Sequence, residues 1–232
     1  MFAQLGGEVH DVQVKGPIEF ESSLKDGTRL HFRRIAPADK GRLVEGFERL
    51  SPQSRYMRFF RHIDHLSDAQ LDYLTDVDFE DHFAVVATLP DEVGEPICGV
   101  GRWVRTTDDP KVAEGAVVVA DYLHNQGIGR TLLWLMAGSA IERGVTAFRA
   151  WTLGDNHPML QVLHDMGARA GRWESGVLEL LVPLPEDPDE MEKTPAPLVL
   201  KATAAGVVHG EADPARPAAT RLVPPPTFVP KN

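Results

Sequence analysis

Residues 114–131, EGAVVVADYLHNQGIGRT, are the most informative stretch of this chain of 232 residues. An apolar strand pattern ends in a short polar turn, and a helical pattern then begins at Gly127-Ile128-Gly129-Arg130. Glycines let backbone N–H groups approach a ligand closely, and a helix N-terminus adds unpaired donors and a positive dipole end. The stretch therefore indicates an anion site suited to a pyrophosphate, with Arg130 as a further contact. The alternative is a plain strand–turn–helix joint in which the glycines serve steric needs only.

Two common phosphate-binding motifs do not fit this joint. No Gly-Lys-Ser/Thr sequence is present, which excludes a Walker A loop. A dinucleotide-binding fingerprint needs a third glycine three residues after Gly129, and that position is Leu132. The loop therefore belongs to neither of these two classes of phosphate-binding motif.

The segments around the joint predict one α/β domain with a mixed sheet. Alternating or continuous apolar patterns predict strands at residues 29–35, 82–89, 97–104, 112–120 and 148–153, followed by a hairpin around Trp173 and residues 177–182. Caps, prolines and helical spacing predict helices that begin near Pro37, Pro52, Ser67, Ile128 and Asn156.

Composition divides the chain into three parts. Residues 1–22 are weakly patterned, and we expect a loosely ordered segment there. Residues 23–182 form the predicted domain. Residues 183–232 hold most of the 18 prolines together with an acidic stretch, EDPDEMEK. Such a segment buries too little apolar surface to offset its ordering entropy, so it predicts a disordered tail.

Charge and composition exclude several classes of function. The net charge of −10 argues against sequence-independent binding of nucleic acid. No apolar run approaches the roughly 20 residues of a membrane span, and the N-terminus lacks the pattern of a secretory signal. The single cysteine, Cys98, allows no intramolecular disulfide or cysteine cluster, which favours a cytoplasmic protein. His62 and His65 lack further ligands in sequence, so we expect no metal site.

The loop His124-Asn125-Gln126-Gly127-Ile128-Gly129 resembles the acyl-CoA pyrophosphate loop of the GNAT N-acetyltransferase superfamily. The likeness covers roughly residues 24–182. Within it, residues 24–60 and 155–168 are similar to the bacterial Pat-type protein lysine acetyltransferases. The resemblance implies a mixed, mostly antiparallel central sheet flanked by helices in a single domain, with acetyl-CoA as cosubstrate.

The resemblance also implies which residues bind acetyl-CoA. The pantetheine would pair with one strand, the pyrophosphate would lie on the loop, and the family asparagine would contact the pantetheine while also serving as an N-cap. These positions correspond here to Val117, Val118, Val119, His124, Asn125, Gln126, Gly127, Ile128, Gly129, Arg130 and Asn156. Two positions depart from the family pattern. His124 replaces a glutamine or arginine, and Leu163 stands where many members have a tyrosine that acts as general acid.

The same likeness assigns Glu114 as the general base of Pat-type enzymes. Period-2 alternation puts it on one strand face with Ala116 and Val118, a partly apolar setting that should raise its pKa. A solvated carboxylate at the start of a strand is the alternative. Arg55, Tyr56 and Arg58 lie on the helix that borders the acceptor cleft in the family, and they are candidates to hold the acceptor. A plain surface helix with Phe59 and Phe60 facing inward is the simpler interpretation, and the sequence favours it.

Three functions remain open at this point. The resemblance favours acetyl transfer to protein lysines, for example those of a metabolic enzyme. A small-molecule amine is the alternative acceptor. A non-catalytic module that binds acyl-CoA and regulates a partner is the third, because the tyrosine is missing and the loop begins with histidine. The sequence does not set the oligomeric state.

Overall fold

The computed structural model describes residues 13–16 and 18–185, with side chains from residue 18 onward. Nine strands within these residues form one sheet. They are β1 (Gln13–Gly16), β2 (Glu19–Ser23), β3 (Arg29–Arg34), β4 (His82–Thr88), β5 (Ile97–Arg105), β6 (Val112–Val119), β7 (Ala147–Leu153), β8 (Arg169–Glu174) and β9 (Val177–Pro183). Their order across the sheet is β1-β2-β3-β4-β5-β6-β7-β9-β8. All neighbouring pairs are antiparallel except β6 with β7, so the predicted mixed, mostly antiparallel sheet is confirmed.

Five α-helices connect these strands, and their ends follow the sequence signals. They are α1 (Lys40–Glu48), α2 (Pro52–Phe59), α3 (Asp68–Thr75), α4 (Ile128–Glu142) and α5 (His157–Asp165). Ser67 and Gln70 form the predicted capping box at the start of α3. Ser51 accepts a hydrogen bond from Ser54 N–H and so caps α2, in which Pro52 is the first residue.

Helices cover both faces of the sheet centre. All seven residues of β4 are buried, because α4 packs on one face while α1 and α3 cover the other. Alternate residues of β4 enter the two cores, with Phe83 and Val85 towards α4 and Ala84 and Val86 towards α1 and α3. This double burial explains why the strand is a continuous apolar run in sequence.

Two glycines in β5 allow α4 to approach the sheet closely. A Cβ on Gly101 would lie 2.8 Å from Sδ of Met136, and one on Gly99 would lie 3.0 Å from Cδ1 of Leu132. A side chain at either position would therefore force α4 side chains such as Met136 and Leu132 to shift. The close approach fixes the start of α4 beside the end of β6, where the predicted anion loop lies.

The sheet begins earlier than the predicted boundary at residue 23. Ile18 and Phe20 are buried, and the Phe20 ring stacks on Phe32 at 4.9 Å between centroids. Sequence analysis missed β1 and β2 because Phe20 is the one large apolar residue in EFESS, too few for a clear alternation. At the other end, Leu184 is still buried. The predicted loose N-terminal residues 1–12 and the predicted tail from residue 186 lie outside the described residues.

In the part of the chain that the structure describes, no helix is both long and apolar enough to cross a membrane. Cys98 is buried in β5, its thiol donates to the Ala87 carbonyl, and burial raises its pKa to about 12.

Candidate active site

The sheet is split between β6 and β7. The two parallel strands pair at three positions, and Glu114↔Arg149 is the last of them. Beyond this pair β7 continues to hydrogen-bond with β9 up to Leu153, while β6 pairs only with β5. The split is part of a cleft of about 800 Å³, a volume typical of small-molecule sites.

Backbone groups of β6 point into this split. Ala120 N–H donates to Cys98 O across to β5, which fixes the alternation of the antiparallel ladder. In that alternation the N–H and C=O groups of Val118 face β5, whereas those of Val117 and Val119 face the split. An extended ligand lying there can therefore pair with β6 as a neighbouring strand would. The predicted role of this segment fits the geometry.

The start of α4 closes one end of the cleft with unpaired N–H groups. Its N-cap, Gly127, has φ +86° and no side chain to cap the helix, and Asn125 before it also has a positive φ. The first recorded backbone bond into the helix runs from Thr131 N to Gly127 O, so the three preceding N–H groups face outward. Together with Arg130, which lines the same cleft, they form a strong anion site.

Two residues of the loop, His124 and Gln126, are placed differently from the other predicted acetyl-CoA residues. The His124 ring is turned back onto β6, with Nε2 3.0 Å from the Val119 carbonyl oxygen. Its ring nitrogen therefore fixes the loop against the strand, although the residue still lines the cleft. Gln126 is exposed and does not line the cleft. The other predicted acetyl-CoA residues all line it, namely Val117, Val118, Val119, Asn125, Gly127, Ile128, Gly129, Arg130 and Asn156.

Asn156 is the N-cap of α5 and also lies at the cleft. Its Oδ1 accepts a hydrogen bond from Met159 N–H at 3.3 Å and caps α5, while the side chain borders the cleft. Leu163, the residue at the position of the family tyrosine, is buried against the core. This position therefore offers no acidic proton to the cleft.

Glu114 lies half-buried where the split opens, on the face of the sheet that α2 and α3 cover. It is opposite Val104 in β5, and Ala116 is opposite Arg102, so the predicted shared face is present. Burial raises the pKa of the Glu114 carboxyl, and the nearby charge of Asp108 raises it further, against the opposing effect of Arg149. A carboxylate with a raised pKa that faces a cleft is suited to accept a proton.

The three residues of α2 that are candidates for acceptor binding have different surroundings in the structure. Arg58 lines the cleft. Arg55 does not, because its guanidinium donates to three backbone carbonyls, those of Glu48, Leu50 and Asp64, and so fixes the chain around α2. Tyr56 packs its ring against His62, also away from the lining residues. Only Arg58 of the three is placed to contact an acceptor.

Sequence analysis missed Arg102, a further arginine that lines the cleft. Arg102 of β5 is only 5% exposed, and it donates to His82 Nε2 and to the Leu74 carbonyl oxygen, both at 2.8 Å. Burial and then the charge of Arg102 lower the pKa of His82 to about 3, so the histidine is a neutral acceptor. The Tyr73 ring packs on His82 and also borders the cleft. A charged residue within the apolar run of β5 was the available signal.

Asp121 joins the acceptor side to the anion loop. Its carboxylate accepts hydrogen bonds from the backbone N–H of Ser51 at 3.0 Å and from the hydroxyls of Ser51 and Ser54 at 2.7 Å each. These bonds hold the first turn of α2 against the segment between β6 and α4. Burial alone would raise the pKa of Asp121, but the three hydrogen bonds outweigh it and leave that pKa below its usual range.

The family model described as "Acetyltransferase (GNAT) family" matches residues 48–168, just over half of the chain. The chain belongs to this family. Its split sheet, open β6 edge and uncapped α4 fit acetyl-CoA, which the GNAT fold binds. The solved Salmonella typhimurium yncA, described as a putative acetyltransferase with its cofactor acetyl-CoA, shares this fold at TM-score 0.54 and 16% identity, over 68% of this chain and 95% of that one.

The relatives also include Pat acetyltransferases. This GNAT chain is 32% identical to acetyltransferase Pat of Mycolicibacterium smegmatis over 70% of its own length. The solved GNAT domain of S. lividans PAT is 32% identical, with TM-score 0.65, over 72% of this chain and 97% of that one. The chain spans about half the length of the curated relatives it matches, 48% in the case of Pat.

Within the described residues, no group of three or more histidine, cysteine, aspartate or glutamate side chains is arranged to hold a metal ion.

Proposed function

We propose that this GNAT domain transfers the acetyl group of acetyl-CoA to the side-chain amine of protein lysines, with Glu114 as general base. The observation that carries the proposal is the position of Glu114. It lies at the last pair before the sheet splits, inside the cleft that also contains the anion loop. Its raised pKa suits proton abstraction, and the likeness to Pat acetyltransferases supports a protein acceptor.

Each part of the cleft has a defined task in this proposal. The start of α4 and Arg130 hold the pyrophosphate, and the split edge of β6 aligns the pantetheine arm. When bound, acetyl-CoA supplies an activated acyl group on a thioester. A strand N–H of Val117 or Val119 can donate to the thioester carbonyl, where negative charge develops during attack.

Glu114 is needed because a lysine amine is protonated at neutral pH. The amine has a pKa near 10.4, so it must lose a proton before it can attack the carbonyl carbon. The Glu114 carboxylate accepts that proton, directly or through one water. The C–N bond then forms, the C–S bond breaks, and the CoA thiolate leaves. Because residue 163 is leucine, solvent rather than that position protonates the thiolate.

The experiment is an acceptor screen with mass-spectrometric detection. Purified protein is incubated with acetyl-CoA and lysine-containing proteins and peptides, and in parallel with polyamines and amino acids. We expect acetyl-lysine in the wild type and its loss in Glu114→Gln. Acetylation of a small amine without any acetylated protein would contradict protein lysine as the acceptor. It would remain consistent with acetyl transfer to an amine. Tight acetyl-CoA binding without turnover of any acceptor would indicate the non-catalytic module instead.

A further inference from the structure

Arg58 and Arg102, two of the four arginines that line the cleft, have no carboxylate partner among the described residues. Arg58 comes from α2 and Arg102 from β5, and both line the cleft with Glu114 and Tyr73. For Arg58, the contact recorded in the described residues is with the neighbouring Phe59 ring, 5.0 Å from its guanidinium carbon. Arg102 donates to a neutral histidine and to a backbone carbonyl. Its N–H groups are partly satisfied, but its charge is not neutralised.

This arrangement is costly for the folded protein. A buried guanidinium normally lies beside a carboxylate, because an uncompensated charge away from water is strongly unfavourable. Arg102 instead has a second cation, Arg58, in the same cleft. Burial, followed by the positive charge of Arg58, lowers the pKa of Arg102 to about 9. The two guanidiniums therefore repel each other in a partly desolvated place, and an anion bound between them would relieve both penalties.

The position of the pair indicates which substrate brings the anion. Arg102 is opposite Ala116, and Glu114 is two residues along the same face of β6, a diagonal separation of about 7–8 Å between such positions. The Tyr73 side chain lines the same cleft as Arg58, Arg102 and Glu114. The anion site is thus on the side of the proposed base, where α2 and α3 cover the sheet. The pyrophosphate loop at α4 is a separate place.

We propose that Arg58 and Arg102 bind a carboxylate of the acceptor, so that the preferred acceptor carries a carboxylate a short distance from the amine that Glu114 deprotonates. The inference rests on the proposed acetyl transfer and specifies its substrate class. The same chemistry has two sources: an aspartate or glutamate beside the acceptor lysine of a protein, or the carboxylate of a small amino acid. Arginine suits either, because its planar fork matches carboxylate geometry.

The test compares acceptors that differ only in this carboxylate. One pair is a blocked peptide with glutamate beside lysine and the same peptide with glutamine. The other pair is 5-aminopentanoate and its carboxamide. Within at least one pair we expect the carboxylate form to have a kcat/KM about tenfold or more higher, as for a hydrogen bond to a charged group. The pair that responds identifies the source of the carboxylate.

Variants and a binding measurement complete the test. Arg58→Gln and Arg102→Gln should reduce the ratio within the responding pair to near one, while Arg49→Gln, which removes an equal charge outside the cleft, should keep it. Because Arg102→Gln can disturb folding, Arg58→Gln alone is sufficient. Calorimetry of the CoA-loaded protein with both small acceptors gives a readout without turnover.

The outcomes separate the inference from the proposed function. Turnover with equal kcat/KM and equal affinity within both pairs overturns the carboxylate site. The proposed acetyl transfer would still stand. Preferential carboxylate binding that Arg58→Gln abolishes, without turnover, supports the site and contradicts the proposed function. An arginine-dependent preference for succinyl-CoA over acetyl-CoA, with no preference among acceptors, would assign the anion to the acyl donor and overturn the inference.

Discussion

Glu114 and Arg149 are the last two residues that pair across β6 and β7 before the sheet opens. The Arg149 side chain is shared between two other carboxylates, with Nη2 3.0 Å from Asp108 and Nε 3.6 Å from Glu179. Glu114 therefore lies near a cation that its neighbours already bind. This is why burial dominates its pKa and the arginine does not reverse the upward direction.

The first prediction concerns the base itself. Glu114→Gln keeps the shape of the side chain but cannot accept the proton, so turnover should fall by roughly 10²–10⁴-fold. Affinity for acetyl-CoA should stay close to that of the wild type, because the anion loop is unchanged. Steady-state kinetics and calorimetry measure the two effects. The control is Glu45→Gln, an exposed carboxyl on α1 away from the cleft. A Glu114→Gln enzyme within twofold of the wild type would exclude the base role.

The second prediction is a pair of opposite pH shifts. The base must be ionised, so kcat/KM should rise with pH through a pKa above the usual range of glutamate. Arg149→Gln removes a positive charge that lowers this pKa. The acidic limb of the kcat/KM profile of this variant should therefore move to higher pH. Asp108→Asn removes a negative charge that raises it, and its limb should move to lower pH. Profiles of kcat/KM against pH test both, and shifts in the same direction would contradict the assignment to Glu114.

The third prediction concerns how the raised pKa of Glu114 affects the stability of the folded protein. A carboxyl whose pKa is raised by folding binds its proton more tightly in the folded state, so stability falls as pH rises through the window between the unfolded and folded pKa. Glu114→Gln removes this loss. The variant should be more thermostable than the wild type at pH 7, where roughly 2–4 °C of Tm corresponds to about 1 kcal/mol. The gain should vanish below about pH 4, and a gain independent of pH would indicate another cause.

The fourth prediction concerns the anion loop. A Cβ on Gly129 would lie 3.5 Å from Cγ2 of Val119, an ordinary contact, so the fold accepts a side chain there. Gly129→Asp adds a negative charge where the proposed function places the pyrophosphate, so it should weaken acetyl-CoA binding at least about tenfold. Gly129→Ala adds bulk without charge and is the matched control. Equal affinities for the two variants in calorimetry would show that electrostatics at this loop is unimportant.

The fifth prediction concerns the link between Asp121 and α2. Asp121→Ala leaves one N–H and two hydroxyls of the first turn of α2 without their acceptor, which should cost about 1–3 kcal/mol of unfolding free energy. Because the folded pKa of Asp121 is lowered, its contribution is present at neutral pH and is lost as pH falls through that value. Denaturant unfolding at pH 7 and pH 3 measures both. A destabilisation of equal size at both pH values would contradict this role.

Local signals predicted the elements that create the cleft. The capping box at Ser67, the N-cap at Asn156 and the glycines before α4 depend on neighbours within a few residues, and the structure has all three. The strand β2 could not be predicted in the same way. Its single large apolar side chain, Phe20, is buried because Phe32 of the next strand stacks on it, which is a long-range contact.

The arginine pair shows a second limit of sequence reasoning. Arg55 and Arg58 are three residues apart on one helix, and their sequence context does not say that one binds backbone carbonyls while the other lines the cleft. Arg102 and Arg58 line one cleft only because α2 packs against β6, the strand next to β5. Its acceptors, Leu74 and His82, come from two further elements. Such a site exists only once the tertiary fold has assembled it.

The opening between β6 and β7 leaves part of one strand edge available to a ligand. The N–H and C=O groups of Val117 and Val119 have no strand beside them on that side among the described residues. In the proposed function, the pantetheine arm of acetyl-CoA pairs with these groups and completes the interrupted ladder. Hydrogen exchange at these amides should therefore slow when acetyl-CoA is bound. By mass action, the bound ligand also raises the free energy of unfolding. The free energy of unfolding of this domain should therefore increase with the concentration of acetyl-CoA.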